Sequence, residues 1–409
     1  MSTYSITSSY PFRRHKVEGF FVEEHPDLGE IQRVILTPDQ RFTPVCHECG
    51  TKAQTIHSHE TRELRDLSVS GKPCLITYHY RKIECPDCKA IKVEKSQVTD
   101  PGGVATTKRY ARMIHGLCKD MTVRRVAEIF KLDWTTVKKI HERWLEKEFG
   151  ADNFFHSGYL AVDEFTFGKY HKYLTVVIDF NTGRVMWVGK KRKADTLRKF
   201  FSKMSKEQRA KIKAVAMDMW KPYIKVVKEF CPEADIVFDK YHIIASYHRD
   251  VIDEIRRSEL RKISKDHPDY DIYKGTKYYL FKNPENLNQE EKEQLDQLLE
   301  LNKNISRAYI LKDQLKRLFQ QKSSVDMHKD LVFLIKRMEA TELKSLKKFA
   351  SKLRSHWPGI ISYASHRIHT SLLEGINNKI KEIKRSAFGF HDFNYFKLKI
   401  KCAFPGNLA

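Results

Sequence analysis

The sequence predicts a multidomain α/β protein in which a cysteine-rich module and a helical module precede a larger α/β domain. Three observations support this prediction. Two CxxC pairs lie between residues 46 and 88, and short helical patterns with tight connections follow residue 103. Beyond residue 159, short apolar strands alternate with helical segments, and Asp163 and Asp218 stand at the ends of two of these strands.

The composition indicates a partner with negative charge. The 409 residues include 75 Lys and Arg against 52 Asp and Glu, a formal net charge of +23. Such a field attracts polyanions and makes their binding depend on salt, so we expect double-stranded DNA as the partner. We see neither an apolar run of transmembrane length nor a secretory leader, and we therefore expect a cytoplasmic, nucleoid-associated protein without a membrane partner.

The cysteine pairs predict a structural zinc site. Thiolates two residues apart can bind one tetrahedral Zn²⁺, and two such pairs complete a closed site without a catalytic position. Disulfides are the alternative, but a cytosolic protein rarely contains them. Residues 62–65 and 75–83 alternate as a strand pair would, which predicts a zinc ribbon. The four ligands are Cys46, Cys49, Cys85 and Cys88.

The remaining cysteines and nearby histidines receive other interpretations. His57 and His59 could replace a ligand, but four cysteines make them unnecessary. The four isolated cysteines are expected to be small buried hydrophobes. They are Cys74, Cys118, Cys231 and Cys402.

Three helices are predicted after Asp100-Pro-Gly-Gly103, and the last two resemble a helix-turn-helix. The connection Lys131-Leu-Asp133 is short, and Asp133 can cap the helix that follows. The alternative is a helical hairpin that only packs. The predicted helices are 106–118, 122–130 and 134–143, and the candidate DNA contacts are Trp134, Thr135, Lys138 and Lys139.

The following segment predicts a ribonuclease H-like domain, because three antiparallel strands, a crossover and two strands alternating with helices is the order of that fold. The strands are predicted at 160–163, 173–178, 184–188, 212–217 and 236–238, with helices at 194–204 and 223–230. In that fold one acid lies on the first strand, a second follows the fourth strand, and a third lies on a late helix.

Glu374 fits the third place. Its segment, 371–385, has an apolar stripe of Leu373, Ile376, Ile380 and Ile383 at helical spacing. The opposite stripe places this one carboxylate among amides and cations, which suits a metal beside a phosphate backbone. An ordinary basic surface helix is the alternative. The polar residues of this stripe, as candidate DNA contacts, are Asn377, Asn378, Lys381, Lys384 and Arg385.

The three acids predict a two-metal site for phosphodiester chemistry. Two Mg²⁺ or Mn²⁺ ions, about 3.5–4 Å apart, activate the attacking oxygen and stabilise the leaving oxygen when carboxylates hold them. Strand-end acids also cap helices or close turns, so this alternative stays open. Glu164 and Asp239 are the rival ligands. Asp239 can equally cap a helix, and His242 can pack or face DNA.

The interval between Asp239 and Glu374 is long and mostly helical in pattern. We interpret residues 258–365 as an all-helical insertion, with Trp357-Pro-Gly359 marking a helix end. The aromatic and basic stretch 273–281 suits either a core or stacking on unpaired nucleotides. The predicted domains are an N-terminal segment (1–43), a zinc ribbon (44–100), a helix-turn-helix DNA-binding domain (101–150) and a catalytic domain (151–409).

Taken together, the chain resembles bacterial insertion-sequence transposases of the DDE type, specifically the zinc-ribbon-bearing ISL3 group. The resemblance covers about residues 46–396, and the 373–381 segment is its most specific part. That family often has an Asn shortly before the Glu, whereas this chain has His369-Thr-Ser-Leu-Leu373. The matching segments are Val162-Asp-Glu164, Met217-Asp-Met219, Phe238-Asp-Lys-Tyr-His242, Leu373-Glu-Gly-Ile-Asn-Asn-Lys-Ile-Lys381 and Phe388-Gly-Phe390.

The resemblance implies a metal-dependent DNA transposase with Asp163, Asp218 and Glu374 as its metal-binding triad. The ribbon and the helix-turn-helix would bind the terminal inverted repeats. Water would cleave a strand at the element's end, and the released 3′-hydroxyl would attack target DNA, in a dimer or larger assembly. Two alternatives stay open: a non-catalytic regulator that binds DNA through residues 44–150, and an inactive, domesticated transposase.

Overall fold

The computed structural model describes residues 12–100, 102–166, 173–368, 371–387, 390 and 392–406. The chain forms two compact units. The first consists of Met1–Ala151 with Asp392–Ala403, and the second of Asp152–His391 with Phe404–Ala409. Within the described ranges, every helix is too short or too polar to cross a lipid bilayer.

The first unit begins with one five-stranded sheet. The predicted ribbon hairpin is confirmed, since the strands Ile56–Val69 (β3) and Lys72–Cys85 (β4) pair antiparallel. Residues 15–38, which the sequence analysis assigned to a separate segment, form two further strands of the same sheet, and β2 lies parallel to β4. The strands are β1 (His15–His25), β2 (Gly29–Pro38), β3 (Ile56–Val69), β4 (Lys72–Cys85) and β5 (Ala90–Val93).

Three helices follow the sheet, α1 (Lys108–Asp120), α2 (Val123–Phe130) and α3 (Trp134–Phe149), as predicted. Lys131 ends α2 in the left-handed conformation, with φ of 49°. Asp133 then caps α3 by accepting a hydrogen bond from the amide of Thr135, as its sequence position predicts. A tight left-handed connection therefore separates the two helices.

A fourth helix, Phe393–Ala403, comes from the C-terminus and packs within this first unit. Lys399 donates to the carbonyl of Cys118 at 2.8 Å, and Lys401 donates to the carbonyl of Phe149 at 3.1 Å. Both acceptors lie in the last turn of a helix, where carbonyl groups lack partners and positive charge is stabilising. The C-terminal helix is therefore part of the first unit's core.

A buried histidine pair lies inside this helical core and makes its stability sensitive to acid. His141 and His115 are joined by a 3.0 Å Nδ1–Nδ1 hydrogen bond, and burial lowers the pKa of His141 to about 2. The unfolded chain binds a proton near pH 6.5, whereas the folded chain does not, so stability is present above pH 6.5 and falls below it.

For each of these two histidines, we expect the free energy of unfolding to fall by at most about 1.4 kcal/mol for each pH unit below 6.5. His141→Gln should give a shallower dependence of the melting temperature on pH between about 5 and 7. The control is His57→Gln, an exposed histidine of the same unit, which should keep the wild-type slope. Identical slopes in all three proteins would refute this assignment.

The second unit contains a five-stranded mixed sheet in the order β10-β9-β6-β7-β8. The first three strands in sequence pair antiparallel, whereas β9 lies parallel to β6 and β10 parallel to β9. All five strands lie where the sequence predicts strands. They are β6 (Tyr159–Thr166), β7 (Tyr173–Asp179), β8 (Arg184–Lys190), β9 (Ala214–Met217) and β10 (Asp235–Phe238).

Helices connect the later strands and fill the interval before Glu374. Residues 258–365 are helical with short connections, as predicted. A π-turn at His248–Ile252 joins the helix Lys240–Tyr247 to the helix Asp253–Leu260, and a 3₁₀ turn spans Pro284–Asn286. The helices of this unit are α4 (Ala194–Phe201), α5 (Lys206–Ala210), α6 (Lys221–Phe230), α7 (Lys240–Tyr247), α8 (Asp253–Leu260), α9 (Tyr270–Gly275), α10 (Lys277–Phe281), α11 (Gln289–Leu301), α12 (Lys303–Leu318), α13 (Ser324–Glu339), α14 (Lys344–Ser355), α15 (Trp357–His366) and α16 (Ser371–Ser386). The C-terminal helix of the first unit, Phe393–Ala403, is α17.

A helix ends just before Trp357-Pro-Gly359, as predicted, because α14 ends at Ser355, and α15 begins at Trp357 itself. Proline is tolerated in the first turn of a helix, where its missing N–H has no intrahelical partner to lose. Gly359 then faces the sheet, and a Cβ at this position would lie 2.4 Å from Cε2 of Phe238. The motif thus starts a helix and lets it approach β10 closely.

Gly359→Ala should therefore destabilise the second unit by about 1–3 kcal/mol, the usual cost of overpacking. Differential scanning calorimetry of the full chain measures this as a lower melting temperature. Gly275→Ala is the matched control, because a Cβ there meets no atom within 4 Å. Equal melting temperatures for the two variants would contradict the close packing.

Candidate active site and zinc site

The four predicted zinc ligands converge. Cys46 and Cys88 have sulfurs 3.9 Å apart, and those of Cys49 and Cys85 are 3.4 Å apart. All four sulfurs lie within 4.8 Å of one another. Tetrahedral Zn²⁺ with bonds of about 2.3 Å requires sulfurs about 3.8 Å apart, so the arrangement fits the ion. No disulfide forms among the eight cysteines, all of which the structure describes, and the four isolated ones are buried except Cys402, which is half-buried.

In the second unit, Asp163 and Asp218 are brought side by side by strand register. Strands β6 and β9 run parallel, with Ala161 opposite Ala216. Each acid lies two residues further along its chain, and residues two apart on a strand face the same side of the sheet. The register therefore places Asp163, in the middle of β6, beside Asp218, directly after the end of β9, although the two acids are far apart in sequence.

These carboxylates lie in surroundings that disfavour negative charge. Burial raises the pKa of Asp163, and the negative charge of Asp218 raises it further. Hydrogen bonds from the Glu164 amide and from the Asn377 side chain lower this pKa, but the net shift is upward. Burial also raises the pKa of Glu164 to about 7, with Arg192 opposing and the two aspartates adding. A poorly solvated group of three acids favours the binding of a cation.

Two side chains supply positive or hydrogen-bonding groups at this cluster. Arg192 lies 3.1 Å from Glu164 and 3.7 Å from Asp218, and its guanidinium stands over the ring of Trp220. His242 lies 3.8 Å from Asp218 and 3.7 Å from Asp239. Asp239 caps α7 by accepting from the amide of Tyr241 at 2.7 Å, which is the capping role that the sequence left open.

Helix α16 lies against β6 and presents Asn377 to the cluster. The Asn377 side chain donates to Oδ2 of Asp163, and Lys384 donates to the carbonyl of Thr166 at 3.3 Å. The apolar stripe is confirmed, because Leu373, Ile376 and Ile380 are buried. This stripe fixes which face of α16 remains polar.

Glu374 is exposed and precedes Asn377 by three residues, so the two occupy neighbouring positions on one helix face. The structure thus places Glu374 one turn from the partner of Asp163. The described carboxylate oxygens of Asp163, Asp218 and Glu374 do not all lie within 4.8 Å of one another, whereas the four cysteine sulfurs do. A pair of ions about 3.5–4 Å apart needs ligands spread more widely than a single ion does.

The predicted DNA contacts differ in their availability. Trp134 is 57% exposed, and Lys139 is exposed beside it. The hydroxyl of Thr135 donates to Asp133. Lys138 instead pairs with Asp392 at 3.0 Å and lies over the ring of Tyr395. On α16, Asn378, Lys381 and Arg385 are exposed, whereas Phe388-Gly389 and His369-Thr370 lie outside the described residues.

Sequence reasoning missed Arg192, and it assigned Asn377 to DNA rather than to Asp163. Arg192 belongs to the basic run 190–193 after β8, a strand that is not adjacent to β6. Nothing in that run distinguishes this cation from its neighbours. For Asn377 a signal existed, since it lies three residues from Glu374 on the polar stripe of the helix.

Comparison with known proteins identifies the family of both domains. Residues 160–400 match a model of ISL3-type DDE transposases, described as "Transposase", and residues 43–88 match the zinc-finger of transposase IS204/IS1001/IS1096/IS1165. The chain is 33% identical over 393 residues to the transposase for insertion sequence element IS1001 of Bordetella parapertussis, covering 94% of this chain and 95% of that protein. It is 26% identical over 392 residues to the transposase for insertion sequence element IS1557 from two strains of Mycobacterium tuberculosis, covering 90% of this chain and 87% of those proteins.

The zinc-finger match includes the four converging cysteines, and the transposase match includes all three predicted acids. The first unit therefore contains a zinc ribbon, and the second contains a DDE transposase domain that implies a divalent metal ion. The similarity extends over nearly the full length of the chain and of the IS1001 protein. The chain belongs to the ISL3 family of insertion-sequence DDE transposases, enzymes that cleave and transfer DNA.

Proposed function

We propose that Asp163, Asp218 and Glu374 hold two Mg²⁺ or Mn²⁺ ions and that this site cleaves the ends of an insertion sequence and transfers the released strand. The observation that carries the proposal is the register of β6 and β9, which supports the pairing of Asp163 with Asp218. The strand order, with three antiparallel strands and two parallel ones, supports a ribonuclease H-like fold.

The residues fit hard divalent cations, because carboxylate oxygens are the ligands that Mg²⁺ and Mn²⁺ prefer. When bound, such ions make the attacking oxygen more nucleophilic and stabilise the leaving oxygen of a phosphodiester. The protein contributes orientation: Asn377 fixes one oxygen of Asp163 by hydrogen bonding. Arg192 places a permanent positive charge next to Asp218, where it can also attract a DNA phosphate.

DNA binding is assigned to both units. The zinc ribbon and the helix-turn-helix α2–α3 would bind the terminal inverted repeats, with Trp134, Thr135 and Lys139 on the exposed face of α3. On α16, the exposed Lys381 and Arg385 would neutralise phosphates near the scissile bond, and the exposed Asn378 would donate hydrogen bonds to them. Two element ends must meet during transposition, so we propose a homodimer or larger assembly acting on nucleoid DNA.

The test is cleavage of a DNA fragment that carries the ends of the insertion sequence encoding this chain. Glu374→Gln should reduce Mg²⁺- or Mn²⁺-dependent nicking by about 10³-fold, because several kcal/mol of transition-state stabilisation depend on the ions. Binding of the same fragment should be retained. Glu382→Gln is the matched control, since Glu382 lies on the same helix but pairs with Lys379.

Two results would oppose the proposal. If Glu374→Gln cleaves DNA as fast as Glu382→Gln, Glu374 is not a metal ligand. If the wild-type chain binds the fragment but never cleaves it with either ion, the alternative of a non-catalytic DNA-binding protein is favoured.

A further inference from the structure

A cavity of about 430 Å³ lies in the second unit, between α7 and the helical insertion. Its volume is within the range of small-molecule sites. Its walls come from α7, the π-turn, the end of α10 and the end of α12. The lining residues are Lys240, Tyr241, Ile244, Ala245, His248, Phe281, Asn283, Lys316, Phe319 and Gln320.

The chemistry of the wall selects a class of ligand. Tyr241, which is 50% exposed, offers an aromatic ring, as do Phe281 and Phe319. Two amides, Asn283 and Gln320, offer donors and acceptors, while lysines 240 and 316 offer positive charge. None of the lining residues is acidic, which argues against a metal ion. Flat rings, amides and cations together suit a nucleobase and its phosphate.

His248 adds an aromatic ring to this wall. Its ring is stacked on Phe281, with centroids 4.6 Å apart and an interplanar angle of 2°. Burial, with Lys312 and Lys316 nearby, lowers the pKa of His248 to about 4, so the ring is neutral at pH 7. The stacked pair of neutral rings therefore gives the wall a flat apolar part beside its two lysines.

The cavity and the proposed catalytic acids both lie at helix α7, on different sides of it. Tyr241 lines the cavity, and the next residue of α7, His242, lies 3.8 Å from Asp218. We propose that the cavity binds one unpaired nucleotide, both base and phosphate, of the DNA strand that the acids act on. This inference rests on the proposed function for the location of that strand. The role of the insertion would then include holding DNA distorted near the cleavage point.

Equilibrium binding can test the cavity separately from catalysis. The full-length, zinc-loaded chain is titrated with a fluorescent thymidine oligonucleotide of about twelve residues, in a buffer without Mg²⁺ or Mn²⁺ and without chelator, with anisotropy as the readout. Tyr241→Ala should weaken the Kd about tenfold, the effect of losing one base–aromatic stack. Phe333→Ala is the matched control, because Phe333 is an aromatic residue of the same unit that is 59% exposed and lies outside the cavity. Lys240→Gln should lower the slope of log Kd against log salt by about 0.7.

Photocrosslinking then locates the base. The same oligonucleotide with one 5-iododeoxyuridine should form adducts on Tyr241, Phe281 or Phe319, identified by peptide mass spectrometry. Adducts found only outside the cavity would overturn the inference. Equal affinities of the Tyr241→Ala variant and its matched control would also overturn it. A parallel titration with thymidine monophosphate tests whether the cavity binds a free nucleotide instead of a nucleotide within a DNA strand. If Tyr241→Ala weakens binding of the monophosphate but not of the oligonucleotide, the inference is also overturned.

The two proposals fail in different ways. The binding assay contains neither Mg²⁺ nor Mn²⁺. If the proposed metal triad is wrong, the result of this assay therefore stays the same. Conversely, an unaffected Kd for Tyr241→Ala together with loss of cleavage in Glu374→Gln would retain the metal site and reject the nucleotide site.

Discussion

Replacing Asp163 by asparagine is expected to reduce strand cleavage by about 10³-fold or more while raising the melting temperature of the metal-free protein. The carboxylate is poorly solvated, and burial together with Asp218 raises its pKa, so its charged form costs folding free energy. Asparagine removes the charge but keeps an oxygen that can accept the hydrogen bond from Asn377. The wild-type residue would thus trade stability for metal binding.

Thermal unfolding with and without ions provides the measurement. MgCl₂ or MnCl₂ should raise the melting temperature of the wild-type chain, because ligands that bind only the folded state stabilise it. Asp163→Asn should show a higher starting value and little further increase. Asp195→Asn is the control: this exposed acid pairs with Arg198, and its variant should respond to the ions like wild type. A full ion response in Asp163→Asn would remove Asp163 from the site.

Much of the second unit could be predicted from sequence because the signals are local. Strands such as Tyr173–Asp179 are short apolar runs ended by turn residues, and the apolar stripe of α16 needs only the helical period. The cap at Asp133 follows from its side chain and its place before a helical pattern. Each of these features depends on residues within one or two turns.

The parts that sequence reasoning did not find depend on long-range packing. Lys138 meets Asp392 across 254 positions, and no local pattern shows that the C-terminal helix joins the first unit. Arg192 reaches Glu164 and Asp218 from the end of a strand that does not neighbour β6. At Trp357-Pro-Gly359 the local sequence shows that one helix ends and the next begins, but the close approach of Gly359 to Phe238 depends on long-range packing.

The zinc site carries the second large expected effect. Cys85→Ser should lose the bound zinc, about one ion per chain, and unfold the ribbon. The buried cluster around the site contains only Ala53 and Ile83 besides cysteines. So small a core supplies little hydrophobic stabilisation, and structural zinc contributes about 10–16 kcal/mol in comparable small domains. Much of that contribution should be lost with one of the four thiolates.

Metal content by atomic absorption and limited proteolysis of residues 44–94 measure the two effects. Cys402→Ser is the matched control in the same unit, because its sulfur is half-buried and outside the four-cysteine group. The second unit has its own sheet, so its melting transition should persist in Cys85→Ser. Binding of the terminal repeats should weaken, whereas the response of the second unit to Mg²⁺ should not. Retention of one zinc per chain in Cys85→Ser would show that three cysteines suffice, and the ribbon's stability would then need another source.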